Sequence, residues 1–176
     1  MEDYQKLLDA YYNNYVLNIP LILSSLQKLN KNPSSIYYNG TIIDYTFSFK
    51  DGCTFNDLND FERNIGYSLP EDYKQFLSYT NGLNLSNHAI SRLLDLDSMY
   101  ECRKIFGDFY HNSALVVGEF YDGDIHVIIN LEAGSNKCIH VCEPCLGNKL
   151  RTLNCSFTEF LNRFIITYGA TFWEWM

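Results

Sequence analysis

The chain has 176 residues, of which 47% are hydrophobic and 16% aromatic, and its formal net charge at pH 7 is −8. This length and hydrophobic content predict one well-buried domain and exclude a disordered chain. The negative charge argues against general affinity for nucleic acid, because phosphate binding requires a basic surface, and it suits a basic protein partner.

The first 50 residues predict two helices followed by a β-hairpin. Residues 3–14 form an amphipathic helical pattern, and a second helical segment after Pro20 ends near Asn30. The side chains predicted to share the buried face of this second helix are Leu21, Ile22, Leu26 and Leu29. Residues 36–49 change to a period of two, which indicates a strand, and Asn39-Gly40 predicts the hairpin turn. We interpret residues 1–50 as an elaboration whose apolar faces pack on the main domain.

Residues 54–83 predict two consecutive helices joined by a tight corner. Thr54 suits the N-cap of the first helix, and Gly66 suits its end. Pro70 fits the first turn of the second helix, where a missing N–H costs no hydrogen bond, and Asn81-Gly82 predicts a left-handed stop. The apolar stripe of the first helix consists of Leu58, Phe61 and Ile65, and that of the second of Tyr73, Phe76, Leu77 and Thr80.

The same stretch carries an Ile-Gly-x-x-Leu-Pro corner, then Glu-Asp-Tyr-Lys-x-Phe-Leu and an Asn-Gly stop. The residues that form this motif are Ile65, Gly66, Leu69, Pro70, Asp72, Tyr73, Phe76, Leu77, Asn81 and Gly82. It resembles the signature of the SUKH superfamily, which includes the yeast Smi/Knr cell-wall regulators and many bacterial immunity proteins that neutralise cognate toxins. The resemblance is strong over residues 54–83 and looser as far as residue 173. Because the motif marks a fold and not a catalytic site, we interpret its residues as structural.

Residues 89–131 predict a strand, a short helix and a second hairpin. Residues 89–96 alternate weakly, which indicates an edge strand, and Asp97 is predicted to cap the following helix. The inward side chains of that helix are predicted to be Met99, Cys102, Ile105 and Phe106. Residues 114–120 and 125–131 form the clearest hairpin pattern, around a two-residue Asp122-Gly123 turn.

The C-terminal part predicts two more strands and a well-marked helix. Residues 134–136 indicate a turn, residues 137–142 a third strand of the meander, and residues 151–153 a fourth. Ser156 and Glu159 form a capping box before the last helix, which Gly169 ends. The predicted buried face of this helix consists of Phe160, Leu161, Phe164, Ile165 and Tyr168.

The order of these elements predicts an α+β fold, because helices are followed by an antiparallel meander and a final helix. The resemblance implies an antiparallel or mixed β-sheet flanked by helices, with a SUKH-like core over residues 54–173. Residues 1–176 are then one domain, with residues 1–50 as its N-terminal helical and hairpin elaboration.

The sequence also predicts a cytoplasmic protein that makes no contact with a membrane. No secretory signal follows Met1, and the longest apolar run near the start, residues 19–23, is too short to span a bilayer. The chain has six cysteines, which without an export signal indicate reduced thiols.

A group of cysteines and histidines is the sharpest candidate for metal chemistry. Cys138, Cys142 and Cys145 surround His140, and His126 lies on the neighbouring predicted strand. Thiolates and imidazoles are the ligands of tetrahedral zinc sites, but Cys138, His140 and Cys142 would share one face of a strand at spacings of roughly 7 Å. A redox role for Cys142 and Cys145 lacks the following helix that lowers a thiol pKa. We therefore predict no metal and no cofactor, with a zinc-binding protein using this cluster as an alternative.

Signatures of catalysis are missing from the sequence. It contains no Gly-x-Ser-x-Gly elbow, no Walker loop and no dinucleotide fingerprint. Two carboxylate pairs occur, Asp95 with Asp97 and Asp122 with Asp124, and capping by Asp97 and turn chemistry at Asp122 explain them better than acid–base catalysis. We predict that the protein is not an enzyme.

Two groups that combine acidic and aromatic side chains are the candidate partner-binding residues. The first, at the predicted hairpin tip, consists of Glu119, Tyr121, Asp122 and Asp124, and the second of Asp95, Asp97, Tyr100 and Glu101. Acidic rims around tyrosines suit a basic partner, because charge steers association and buried rings supply affinity. An ordinary solvated surface is the alternative interpretation of each residue.

The resemblance and the acidic charge together predict a cytoplasmic immunity protein. It would bind a cognate toxin domain of the nuclease type, which has a basic surface, and neutralise it by stoichiometric occlusion without chemistry of its own. We expect no direct binding to nucleic acid. The alternative from another class is a regulatory scaffold of the Smi/Knr type.

Overall fold

The computed structural model describes residues 19–31, 34–38, 41–86, 90–133, 138–144, 150–167 and 169–175. The helices within these residues are α1 (Ile19–Lys31), α2 (Phe55–Ile65), α3 (Glu71–Tyr79), α4 (Leu96–Ile105) and α5 (Phe157–Ile166), followed by a 3-10 helix (Phe172–Trp175). The strands are β1 (Ser34–Tyr38), β2 (Thr41–Phe49), β3 (Leu83–Ser86), β4 (Ile90–Leu93), β5 (Ala114–Phe120), β6 (Ile125–Asn130), β7 (Ile139–Cys142) and β8 (Arg151–Thr152). The prediction of an α+β fold is confirmed. No described helix is long and apolar enough to cross a membrane.

The strands form one antiparallel meander in which each pairs with its neighbours in sequence, in the order β1 to β8. The interpretation of residues 89–96 as an edge strand is wrong, because β4 lies between β3 and β5 and Leu93 pairs with both Leu83 and Gly118. The sequence analysis does not predict β3. This strand has only four residues and directly follows Asn81-Gly82, so its alternating pattern is too short to stand out from the turn. Both Ser91 and Leu93 are buried, so the apolar-to-polar contrast that would mark this interior strand is weak.

The two signature helices form as predicted, with small differences at their ends. Thr54 Oγ1 accepts from Asp57 N at 3.2 Å and the Asp57 carboxylate accepts from Thr54 N at 2.8 Å, which completes a capping box. Gly66 closes α2 in the left-handed region at a φ of 76°. Pro70 occupies the N-cap position of α3 rather than its first turn, because α3 begins at Glu71.

The predicted left-handed stop of α3 at Asn81-Gly82 is wrong. The helix ends at Tyr79, and Thr80 is already extended with a φ of −153°. Gly82 has a φ of 98°, and a Cβ there would lie 3.0 Å from the carbonyl oxygen of Leu93. Glycine is therefore required for the close approach of β3 to β4, not for the end of the helix.

Aromatic rings from α3, α5 and the 3-10 helix cover one face of the sheet. Phe157 lies 4.6 Å from Tyr73 and 5.2 Å from Phe76 between ring centroids, and Phe164 lies 5.0 Å from Phe120 of β5. The capping box at Ser156 and the buried face of α5 are confirmed, except that Tyr168 lies outside the described residues. The amide of Gly169 donates to the carbonyl of Phe164 at 2.8 Å and closes α5, as its position predicts.

The described part of the N-terminal third contains one helix and one hairpin. Helix α1 buries Ile19, Ile22 and Leu23, whereas Leu21 is 53% exposed, so its predicted inward position is wrong. Ile19, Ile22 and Leu23 lie at i, i+3 and i+4 and define one stripe, which places Leu21 on the opposite side of the helix. The strand pattern of residues 36–49 is confirmed by β2, which pairs with β1. The predicted helix at residues 3–14, the turn at Asn39-Gly40 and the side chains of Leu26 and Leu29 lie outside what the structure describes.

Candidate functional site

Helix α4 covers the face of the sheet to which Glu119 and His126 point, and its buried Met99 also accepts a hydrogen bond from the Tyr73 hydroxyl of α3 at 3.0 Å. Glu119 and His126 are register partners on β5 and β6, and both face α4. The Cys102 thiol donates to Glu119 Oε1 at 3.5 Å, and the Phe106 ring centroid lies 4.7 Å from that of His126. Since successive side chains of a strand alternate between faces, Phe120 points to α5 on the other side. The structure therefore places α4 over the strand ends that lead into the β5–β6 hairpin tip.

The start of α4 is set by Asp95. The prediction that Asp97 caps this helix is wrong. The Asp95 carboxylate accepts from Ser98 N at 2.7 Å and also forms an ion pair with Lys50 at the end of β2. Burial raises the pKa of Asp95, but the hydrogen bonds from Lys50 and Ser98 outweigh it and hold this pKa below its usual value. Only 14% of the Asp95 side chain is exposed, and its contacts with Lys50 and Ser98 fix the start of the helix.

The outward side of α4 combines carboxylates with exposed apolar side chains. Met99 and Cys102 are buried as predicted, but Ile105 is 70% exposed, so its inward position is wrong. At about 100° per residue, Ile105 lies on the flank of the helix, away from the Met99–Cys102 stripe. We call the exposed non-glycine residues of this helix and the turn that follows it the α4 surface, and they are Asp97, Tyr100, Glu101, Lys104, Ile105, Asp108 and Phe109. It carries three carboxylates against one ammonium group.

Within the α4 surface, Lys104 binds back onto its own helix. Its Nζ donates to Glu101 Oε1 at 2.7 Å and lies 4.4 Å from the centroid of the Tyr100 ring. The hydrogen bond to Glu101 raises the pKa of Lys104. Tyr100 is 39% exposed, so the ring is open to solvent on its outer side.

The hairpin tip consists of residues 121–124 and is longer than the predicted two-residue turn. Tyr121, Asp122 and Gly123 have φ values of 53°, 57° and 95°, so three consecutive residues are left-handed. Gly123 donates to the carbonyl of Phe120 at 3.2 Å. The tip exposes Asp122, Asp124 and 37% of Tyr121.

Glu119, the fourth predicted member of the tip group, lies behind the tip in an ion pair. Its Oε2 accepts from Arg92 Nη2 at 2.6 Å and Nε at 3.0 Å across the β4–β5 register. Burial, and then the neighbouring Glu119 carboxylate, raise the pKa of the Cys102 thiol to about 12. Glu119 therefore joins the two predicted groups by its contact with α4, while its charge is compensated by Arg92.

The cysteine and histidine cluster is divided among separate contacts. His126 Nδ1 lies 2.9 Å from the hydroxyl of buried Tyr110, and His140 Nδ1 lies 3.0 Å from Thr152 Oγ1. Cys138 and Cys142 are buried, and Cys145 lies outside the described residues. Burial lowers the pKa of both imidazoles and raises that of Cys138. Among the described residues, no three side chains of His, Cys, Asp or Glu are grouped so that they could hold a metal.

A family model for the SMI1 / KNR4 family (SUKH-1) matches residues 52–163. The chain belongs to this family. It is 32% identical over 132 residues to YnaB of Bacillus subtilis (strain 168), which covers 74% of this chain and 89% of YnaB. It is 26% identical over 148 residues to YobM of the same organism, covering 77% of this chain and 78% of YobM. Both relatives carry only the description of uncharacterized proteins.

Members of the SUKH family are generally interaction domains without catalytic activity, known for binding other proteins. In this SUKH chain the large apolar side chains of the signature are buried, and Gly66 ends α2. Ile65, Leu69, Tyr73, Phe76 and Leu77 are each 5% exposed or less. Asn81 Oδ1 accepts from Leu96 N at 3.0 Å and so connects the signature to the first turn of α4.

The SUKH fold of this chain also forms a groove of about 850 Å³ between α2, α3 and the start of α5. Its carboxylates already have internal partners. Asp72 accepts from Thr158 N at 2.9 Å, Glu159 from Ser156 N at 2.8 Å, and Glu71 pairs with Lys74 at 3.1 Å. The carboxylates of the groove therefore serve contacts between and within these helices.

The sequence interpretation missed Lys104, Ile105, Asp108 and Phe109 as members of the exposed surface. The signal was present, since Asp97, Glu101, Lys104 and Asp108 recur at spacings of three and four residues. Because Ile105 was predicted to face inward, this polar side of the helix was not extended to include it.

Proposed function

We propose that this SUKH-family chain is a cytoplasmic immunity protein that binds a cognate toxin domain of the nuclease type. It occludes the toxin active site in a stoichiometric complex and contributes no chemistry. The observation that carries the proposal is the α4 surface, on which three carboxylates and only one ammonium group surround exposed Tyr100, Ile105 and Phe109.

The charge of this surface fits the chemistry of the proposed partner. A nuclease binds phosphates, so its active site carries basic side chains. An acidic protein with a net charge of −8 is attracted to such a site over long range, which accelerates association. When the acidic surface covers the basic side chains of the toxin active site, the nucleic-acid substrate can no longer reach them.

The apolar side chains provide the affinity that charge alone does not. Ile105 is 70% exposed and Phe109 38% exposed, and each loses this contact with water in a tight complex. The Phe109 ring packs at 5.0 Å against Tyr110, which is buried, so its position is fixed before binding. A pre-positioned ring loses less conformational entropy when a partner binds.

The eight predicted site residues then divide into two roles. Asp97, Tyr100, Glu101, Tyr121, Asp122 and Asp124 are exposed and are proposed to contact the toxin. Asp95 and Glu119 are engaged with Lys50 and Arg92, and they hold α4 and β5 in the orientation that presents the others.

Co-expression of the chain with the toxin domain encoded beside its gene tests the proposal. We expect restored growth and a complex with one copy of each protein. Absence of both complex and rescue, or recovery of several unrelated host proteins without a toxin, would contradict it.

Two matched charge-reversal variants test whether the toxin binds at the α4 surface. Glu101→Arg reverses a carboxylate of α4, and Glu71→Arg reverses one of α3 on the other face of the sheet. Both residues form ion pairs with a lysine three positions later, at 2.7 and 3.1 Å. We expect Glu101→Arg to weaken the complex at least tenfold while Glu71→Arg leaves it unchanged. Equal losses would show that only net charge matters.

A further inference from the structure

We propose that Tyr100 and Glu101 form a receptor site for an arginine side chain of the toxin, which Lys104 of the same helix occupies in the free protein. This deepens the proposed function, on which it rests, by naming the chemical group that the partner inserts. The site is defined by the aromatic face of Tyr100 and the carboxylate of Glu101, which both contact one cation.

The geometry of Lys104 shows that the site accepts a cation. Its Nζ is 4.4 Å from the Tyr100 ring centroid and 2.7 Å from Glu101 Oε1. An ammonium group therefore receives attraction from the ring quadrupole and a charge-assisted hydrogen bond at the same point. Two independent recognition elements converge there.

A second lysine of the same chain shows what is special about this place. Lys74 pairs with Glu71 at the same helical spacing, with an Nζ to Oε2 distance of 3.1 Å. Among the described residues, no aromatic ring is recorded in cation–π contact with Lys74, whereas Lys104 has one. Lys74 is half-buried and also lies 3.8 Å from Glu62 Oε1, so its site supplies carboxylates without a ring and is a control for the contribution of the ring.

Lys104 is held weakly enough to be exchanged. The side chains of Lys104 and Glu101 are 55% and 61% exposed, so water competes for both charges. Exposed ion pairs and exposed cation–π contacts are each worth little, and fixing a lysine side chain costs rotamer entropy.

An arginine side chain satisfies the same site better than lysine. Its planar guanidinium stacks on a tyrosine face while its parallel N–H groups reach a carboxylate in bidentate geometry. It is also less strongly hydrated than an ammonium group, so it loses less on leaving water. An incoming arginine displaces Lys104, whose flexible stem swings into solvent or toward Asp97 and Asp108 on the same surface.

This mechanism predicts an unusual effect, because removing a residue from the interface strengthens binding. The probe is the peptide acetyl-Gly-Arg-Gly-amide, with its lysine counterpart as comparison, titrated into the 15N-labelled full chain and followed by NMR. With Lys104→Gln we expect the dissociation constant of the arginine peptide to fall severalfold. With Lys74→Gln, which changes the net charge equally, we expect no change.

A third variant identifies the ring as part of the site. Tyr100→Leu keeps an apolar side chain but removes the aromatic face, and we expect it to abolish the gain seen in Lys104→Gln. Circular dichroism of all variants checks that they are folded. We expect them to fold because the Tyr100 and Lys104 side chains are exposed. Equal responses of Lys104→Gln and Lys74→Gln, or equal affinity for the arginine and lysine peptides, would overturn the proposal.

The peptide titration contains no toxin, so its result is independent of the growth assay. Arginine binding at Tyr100 without any rescue of growth would refute the immunity function and leave the receptor site standing. Rescue of growth with no selective peptide binding would refute the receptor site alone.

Discussion

The two faces of the sheet use acidic and aromatic residues in opposite ways. On the side of α2, α3 and α5, the rings of the aromatic layer are buried, whereas Phe55 and Tyr79 at the helix ends are exposed. Four carboxylates on this side accept backbone N–H groups at helix starts or at the corner. These carboxylates belong to Asp57, Glu62, Asp72 and Glu159. On the α4 side, Tyr100, Phe109 and Tyr121 reach the surface, and Asp97, Glu101 and Asp108 face solvent.

This difference separates the residues that identify the SUKH family from those that we propose for binding. The signature corner is a packing and capping device, and its sequence is constrained by the aromatic layer that it covers. The α4 surface makes few contacts that the fold requires, so its side chains can vary to suit a partner. Variants that act on one face only can test this separation.

The largest effect is expected from Phe76→Ala in the aromatic layer. Phe76 is fully buried and its ring lies 5.2 Å from that of Phe157, so truncation leaves a cavity. The free energy of unfolding should fall by about 3–5 kcal/mol, measured by urea denaturation. If this variant unfolded like the parent but lost its partner, the assignment of the signature to packing would be wrong.

A smaller loss of stability is expected from Asp72→Ala. Its carboxylate accepts from Thr158 N and Oγ1 at 2.9 and 3.1 Å, which caps α5 from a residue 86 positions away in sequence. Losing this cap should cost about 1–2 kcal/mol in urea denaturation. Glu71→Ala, one residue earlier on the exposed side, is the control and should change stability by less than about 0.5 kcal/mol.

On the other face, Ile105→Ser should change binding and not stability. Because Ile105 is 70% exposed, its loss leaves no cavity, and the unfolding free energy should stay within about 0.5 kcal/mol. We expect the affinity for the toxin, measured by calorimetry, to fall by about tenfold, which is roughly 1.4 kcal/mol. Ile42→Ser, at an exposed site on β2, provides the control and should bind normally. Reduced binding by both variants would remove the special role of the α4 surface.

The smallest effect concerns the acid stability of the α4 cap. The pKa of Asp95 is lower in the folded chain than in the unfolded one, so its charged form contributes stability that is fully present above about pH 4. This contribution is lost as the pH falls through the lower folded pKa. The unfolding free energy of Asp95→Asn should therefore decrease less steeply than that of the parent below about pH 4. Asp108→Asn controls for the loss of one carboxylate, and an identical slope for Asp95→Asn and the parent would refute the assignment.

Local signals in the sequence predicted the capped helices well. Thr54 with Asp57 and Ser156 with Glu159 act within four residues of each other, so their geometry follows from the helix itself. The pairing of β5 with β6 is also close in sequence, because only the hairpin tip separates the two strands. The same reasoning chose Asp97 over Asp95 as a cap, because either aspartate can accept from the first turn and sequence alone does not fix which residue begins the helix.

The features that were missed depend on contacts distant in sequence. The ion pairs of Asp95 with Lys50 and of Glu119 with Arg92 join residues 45 and 27 positions apart, so no local pattern shows that these acids are compensated. The eight site residues remain a prediction for a partner to test.

The strand order has a consequence for how the chain folds during synthesis. Among the described residues, each strand pairs with its neighbours in sequence, so pairing can proceed in the order in which the strands leave the ribosome. The aromatic face of α3 has to wait for Phe157, which is made more than 80 residues after Tyr73. Until then the nascent chain exposes Phe120 of β5 and Phe76 of α3, and chaperones that recognise apolar segments have a defined interval in which to bind.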